Sequence, residues 1–265
     1  MEKDKKYKIT IVVLIGIIFM LGISLLTSRQ KPKEIAKPKE VKPVVFKGKI
    51  AIVIDDWGYN LNNAHILKEF KYPITGAVLP NLAFTKQIAE ELNSCGFEVI
   101  LHLPMQPHEK VRLEKNTIMV NSSKEKILDV LDKDLASIGY AKGVSNHMGS
   151  LATEDAKTTE IVMSDLKKRH LYFLDSYVTG KSVCPAMAKK IGLSFAKRDI
   201  FLDNIEEAEY IKKQLYKLKI KAMAQGKAIG IGHDRKVTLE VLKASMPEMA
   251  KEGFKFVFVS DLKRN

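Results

Sequence analysis

From residue 49 onward, short apolar runs alternate with longer stretches whose apolar residues recur at helical spacing, which leaves few folds open. The runs fall at residues 50–54, 74–79, 98–102, 143–146, 171–175, 228–232 and 256–260. The first, Ile50-Ala51-Ile52-Val53-Ile54, is apolar throughout, the pattern of a strand covered on both faces. Between the runs, residues 85–93 stop near Gly96, a fitting C-terminal glycine. Ser122-x-x-Glu125 reads as a capping box opening a helix with Ile127, Leu128, Leu131, Leu135 and Ile138 on one face. Residues 158–169 and 206–225 follow, the latter with Ile211, Leu215, Leu218 and Ala222 at helical spacing. Strands and helices in this order imply an α/β fold with a parallel sheet or barrel.

The N-terminus is of another kind. Lys3, Lys5, Lys6 and Lys8 precede an uncharged apolar stretch at residues 9–26, about the length that crosses a bilayer. A cleaved signal peptide and a retained anchor compete. The length, and the lack of a small-x-small site in Thr27-Ser28-Arg29-Gln30, favour an anchor over residues 1–28. The short lysine-bearing tail favours an N-terminus inside and the main domain outside the cytoplasm, although Arg29, Lys31 and Lys33 weaken the asymmetry. Residues 29–47, with Pro32, Pro38 and Pro43 among lysines, read as a tether to a domain at residues 48–265. The formal net charge is +13, and about half of it precedes Gly48, so the basic balance belongs to the membrane and tether and implies no nucleic-acid partner. Cys95 and Cys184 read as core thiols.

Polar residues able to do chemistry fall repeatedly at the strand ends. Asp55-Asp56 closes the first run, His102 the third, Asn146-His147 follows the fourth, Asp175-Ser176 closes the fifth, and His233 follows the sixth. In a parallel α/β fold these ends meet on one surface. Adjacent strand residues point to opposite faces, so Asp55 and Asp56 are expected to play different parts. One carboxylate with neutral imidazoles suits a divalent ion, zinc above all, and a spare carboxylate and a spare imidazole would serve as base and acid. That set meets the requirements of metal-assisted hydrolysis. Ser150 and Ser176 lack a G-x-S-x-G setting, which disfavours a nucleophilic serine.

Ile52-Val53-Ile54-Asp55-Asp56-Trp57-Gly58, His102-Leu103-Pro104-Met105, Asn146-His147-Met148-Gly149-Ser150, Phe173-Leu174-Asp175-Ser176, residues 198–203 and Gly232-His233 together resemble the divergent polysaccharide deacetylase family. That family is a branch of the NodB-like carbohydrate esterases. The resemblance runs from about Gly48 to the C-terminus and implies a distorted (β/α) barrel with a metal-dependent deacetylase site. It implies Asp55 as general base, Asp56 and His102 as metal ligands and His233 as general acid. The superfamily's second ligand histidine would fall at Gln106, so His147 is expected to replace it, with His108 the poorer candidate. An arginine usual after the fourth strand is also missing. Arg198 could bring that charge to Asp55, or could instead pair with Asp199 or Asp203. Asp175 and Arg198 are expected to orient the groups around the site.

Trp57, with Tyr59, could form a sugar-stacking wall or, alternatively, pack in the core; Trp57, Asn146 and Ser176 are the expected substrate contacts. The resulting expectation is a membrane-anchored, extracytoplasmic zinc hydrolase that removes acetyl or similar acyl groups from a cell-envelope polysaccharide. One rival is a weak or inactive barrel serving as a glycan-binding scaffold. Another is a metal-free glycosidase using Asp55 or Asp56 with Asp175.

Overall fold

The computed structural model describes residues 2–27 and 45–263; the expected tether falls mostly outside the described residues. The chain divides into two units, Met1–Pro43 and Val44–Asn265. The first contains α1 (Glu2–Thr27), of which Lys3–Thr27 is long and apolar enough to cross a membrane.

The second unit holds one parallel sheet. Its strands are β1 (Gly48–Trp57), β2 (Thr75–Val78), β3 (Glu98–Met105), β4 (Gly143–Met148), β5 (Tyr172–Asp175), β6 (Phe195–Lys197), β7 (Ile200–Phe201), β8 (Lys227–His233) and β9 (Phe254–Phe256). They are ordered β6-β5-β4-β3-β2-β1-β8-β7, with β9 also against β1. The helices are α2 (Ala64–Leu67), α3 (Thr85–Ser94), α4 (Lys124–Ile138), α5 (Ala156–Lys168), α6 (Cys184–Ile191), α7 (Ala208–Gln225) and α8 (Lys236–Lys251). The sheet curls into the distorted barrel because one chain segment changes partner. β6 pairs with β5 and β7 with β8, and only Arg198 and Asp199 separate them. Arg198 N–H donates to Asp175 O at 3.0 Å, and the next residue, Asp199, donates to Ile229 O at 2.9 Å.

Strand alternation then builds two cores. Ile50, Ile52 and Ile54 face the helices, while Ala51 and Val53 join Ile100, Leu174, Ile229 and Ile231 inside the barrel. The end of the barrel away from Asp55 is stoppered by Val257, Val259 and Leu262. Among the described residues, the buried apolar ones all fall between Ile50 and Leu262, so this unit has a core of its own and can fold without α1.

Several elements differ from the sequence reading. Of the run at residues 256–260 only Phe256 is strand, the last residue of β9, and Val259–Asp261 forms a 3-10 turn. α4 is capped by Ser123, which accepts from Lys126 N–H, and not by Ser122. β6 and β7, of three and two residues, are too short to show any period. α8 was hidden by Pro247 within it. Cys95 and Cys184 are both free thiols, and burial pushes Cys184 up to about 12.

Candidate metal centre

The two adjacent carboxylates do not point to opposite faces, and the backbone explains why. β1 pairs with β2 in register at Val53↔Thr75 and Ile54↔Gly76, then shifts so that Trp57 meets Val78. Within that irregularity Asp56 takes φ 66°, a left-handed conformation costly for a residue with a Cβ. The kink turns both side chains toward β3. Asp55 Oδ2 and Asp56 Oδ1 lie 3.6 Å and 3.3 Å from His102 Nε2. Met148 (φ 52°), the last residue of β4, and Tyr177 (φ 51°), two residues past β5, repeat the strain at the same edge.

Asp56, His102 and His147 each offer a ligand atom, all within 4.8 Å of one another. His147 Nδ1 is 3.0 Å from Asp56 Oδ1. His102 Nδ1 meets Ser145 Oγ at 2.8 Å, which fixes the ring so that Nε2 faces the carboxylates. Despite these short separations, Asp56 Oδ1 makes no aligned hydrogen bond, and Asp55 Oδ1 and His147 Nε2 are also buried without one. Buried polar atoms are normally satisfied, so unpartnered atoms on residues of this cluster and beside it fit a bound cation. The donor set is right for zinc and acceptable to other divalent ions. Burial opposes ionisation of Asp56, but His102 and His147 outweigh it and hold the carboxyl well below the usual range. Asp55 goes the other way: burial raises it, with His102 and His233 pulling it partly back.

His233 approaches from the opposite side, its Nε2 3.9 Å from Asp56 Oδ2. Its Nδ1 sits 2.9 Å from Asp203 Oδ1, and its backbone N–H donates to Asp203 Oδ2 at 2.8 Å. Thr238 Oγ also donates to Asp203, and Arg235 holds the Asp203 carbonyl at 2.8 Å. Burial alone would lower the His233 pKa, but the Asp203 contact outweighs it and raises it. Gly232 makes room for this pair, since a Cβ there would stand 2.9 Å from the Thr238 methyl. Asp203 was not assigned from sequence. Its signal is an isolated carboxylate following Leu202, a fully buried residue, one strand away from β8.

The remaining expected residues separate into supports and absentees. Arg198 makes no ion pair with Asp199 or Asp203; its guanidinium donates to Ser176 O at 2.5 Å and Tyr177 O at 2.8 Å and lies over the Phe201 ring. Its charge nevertheless acts on Asp55 and Asp175. Asp175 accepts from Tyr177 N–H and Ser182 Oγ, so it organises the loop after β5 and stands outside the ligand cluster. Asn146 is an internal clamp, not a substrate contact: its amide donates to Met148 O and accepts from Ser176 N–H. Ser176 is buried, with its Oγ unpartnered. Trp57 is fully buried in the core and cannot stack on a sugar. Its neighbour Tyr59 does reach the rim, 48% exposed, with its hydroxyl on Glu114. Gln106 accepts from Val120 N–H and takes no part in the cluster, in which His147 joins Asp56 and His102. His108 lies apart, 3.0 Å from Glu154. A cavity of about 260 Å³ adjoins Met148, between Val111 and Val178. A larger one, about 930 Å³, opens away from the centre between α6 and α7.

A curled parallel barrel with an Asp-His-His cluster at its strand ends defines a deacetylase-like carbohydrate esterase fold. The family model described as divergent polysaccharide deacetylase matches residues 52–263, and the chain belongs to that family. It is 36% identical over 199 residues to the YibQ protein of Escherichia coli K12, covering 75% of this chain and 62% of YibQ. The chain therefore spans less than two thirds of that relative. Among solved structures, ATU2773 from Agrobacterium tumefaciens C58 superposes with a TM-score of 0.77 at 22% identity, over 82% of this chain and 90% of that one. BA3943 of Bacillus anthracis, described as a CE4 family pseudoenzyme, gives a TM-score of 0.51 at 14% identity, over 82% and 65%.

Proposed function

We propose that this protein is a metal-dependent hydrolase that removes acetyl or similar acyl groups from a cell-envelope polysaccharide. The observation that carries the reading is the meeting of three ligand atoms with a buried carboxylate and a carboxylate-held histidine. Asp56, His102 and His147 would hold the ion, with zinc the best match to the donors. When bound, the ion would supply Lewis acidity to the acyl carbonyl and lower the pKa of water.

The chain's own residues divide the proton chemistry. Asp55, with its affinity for protons raised by burial, accepts the proton of the attacking water. His233, kept protonated by Asp203, delivers a proton from Nε2 to the departing sugar nitrogen or oxygen. The products are a carboxylic acid and the freed amine or hydroxyl. Ser145 fixes the His102 ring, and the Arg198 charge favours the ionised form of Asp55. The mouth carries Tyr59, Val111, Tyr177 and Val178 as partly exposed apolar surface against which a sugar ring or acyl group can lie. We place the protein in the cell membrane through α1, with the second unit outside the cytoplasm.

A scaffold that only binds glycan is the rival, favoured by the loss of the ligand histidine at Gln106. A glycosidase pairing Asp55 or Asp56 with Asp175 is disfavoured, because the Asp175 carboxylate is engaged by its own loop. The test is elemental analysis of residues 45–265 beside Asp56→Ala and His147→Ala, followed by acetate release from acetylated envelope glycans. The expected result is about one ion per chain in the parent, lost in both variants, with chelator-sensitive release. A metal-free parent that takes up none, or His147→Ala retaining full metal, would overturn the assignment.

A further inference from the structure

α7 differs from every other helix of the second unit on its outer face. Tyr216, Ile220 and Met223 are 60%, 44% and 46% exposed, and their spacing aligns them in one ridge along the helix. The other exposed large apolar residues of this unit lie outside helices. At about 100° per residue, Lys212 and Lys219 border the ridge on one side and Lys213 and Lys217 on the other. Lys212 reaches Glu209 and Lys219 reaches Glu252, but among the described residues Lys213, Lys217 and Lys221 have no ion-pair partner. Long lysine stems can cover apolar ground while their ammonium groups reach outward. An apolar ridge between two lysine rows is the composition of a helix lying in a lipid interface.

The place where the chain joins the barrel points to the same partner. Gly48 packs on the last turns of α7, where a Cβ would stand 2.7 Å from Ala222 O, and Lys49 N–H donates to Gly226 O at 2.9 Å. Val45 and Phe46, just upstream, are 74% and 60% exposed. The segment arriving from the membrane-length helix thus meets the folded unit at the C-terminal end of α7. Residues 28–44 can span at most about 60 Å even when fully extended.

We propose that α7 docks the domain on an anionic lipid surface. Tyr216, Ile220 and Met223 enter the interface, and Lys213 and Lys217 face lipid phosphates. The choice of a lipid partner rests on the membrane-anchored reading above. α7 returns alongside β8, so docking lays the strands along the surface and opens the site sideways across it.

The test uses residues 45–265, which lack α1, with phosphatidylglycerol-containing vesicles beside pure phosphatidylcholine vesicles. One variant carries Tyr216→Ser, Ile220→Ser and Met223→Ser; the other carries Lys213→Glu and Lys217→Glu. All five side chains are exposed, and an unchanged thermal transition reports the fold. The expected result is salt-sensitive binding to the anionic vesicles only, weakened more than about tenfold in each variant. Equal binding to both vesicle types, no binding, or variants that bind like the parent would overturn the proposal. A concentration-dependent dimer dissolved by the same substitutions, without lipid binding, would assign the ridge to a second copy of the chain. Metal content and acetate release from these variants should match the parent. A vesicle failure alone therefore leaves the hydrolase reading standing, and retention of the full chain in membranes reports the anchor separately.

Discussion

The two ends of the barrel each bury a carboxylate, and they treat it in opposite ways. At the end remote from the candidate centre, Glu98 accepts from Thr75 Oγ at 2.9 Å, Tyr172 Oη at 2.9 Å and Ser260 N–H at 3.3 Å. Val259 N–H meets Thr75 Oγ at 3.3 Å, which draws the C-terminal turn over that end. At the other end Asp55 is equally hidden, yet one oxygen has no partner and the left-handed Asp56 crowds it. A buried carboxylate oxygen that collects three donors holds a fold together, whereas a buried one with none is maintained against the fold's preference and points to chemistry.

The contrast can be broken most severely at Glu98. Glu98→Ala should destabilise the domain by about 3 kcal/mol, because it strands several buried donors. Asp55→Asn should leave the metal-free domain as stable as the parent or more so. Paired denaturant titrations check both, and equal losses would erase the distinction. The next effect is expected at Ser145. Ser145→Ala releases the His102 ring without touching the cluster and should weaken metal binding by roughly 10- to 100-fold, with little change in melting temperature. Competition against a chromophoric chelator measures this, and unchanged affinity would remove Ser145 from the site.

The smallest effect concerns an intermediate case. Asp134 on α4 is buried with one oxygen on the Asn81 amide and the other unpartnered, and burial pushes it up to about 7. Its folded pKa lies above the unfolded value, so the native state binds the extra proton. Its stabilising contribution is complete below about pH 4 and is lost as pH rises through about 7. Asp134→Asn should flatten that slope and stabilise the domain at pH 8 by about 1 kcal/mol. Thermal melts across this window provide the measurement; an unaltered slope would count against the carboxyl.

The contrast also marks how far sequence reaches. The strand β1, the helices with clear periodicity and the strand-end positions of His102, His147 and His233 were legible because burial and spacing are local patterns. The bulge was not. A two-residue period put Asp55 and Asp56 on opposite faces, and only pairing with β2 shows where the register slips. The same slip sends Trp57 inward, so its proximity to the carboxylates in sequence misled as to its role. Asp203 escaped because its partner is 30 residues away and the intervening barrel closure rests on strands too short to leave a pattern.

Gly48 pairs in register with Phe254, so β1 and β9, the first and last described strands, start side by side at one end of the barrel. Asp55 lies seven residues further along the same strand, roughly 23 Å away. The architecture is thus suited to circular permutation. A short linker could join the turn after β9 to Gly48, and new ends could be cut in the exposed stretch around Lys110. The reacting groups would keep their supporting strands, while the point of attachment moved from the far end of the barrel to the rim of its mouth.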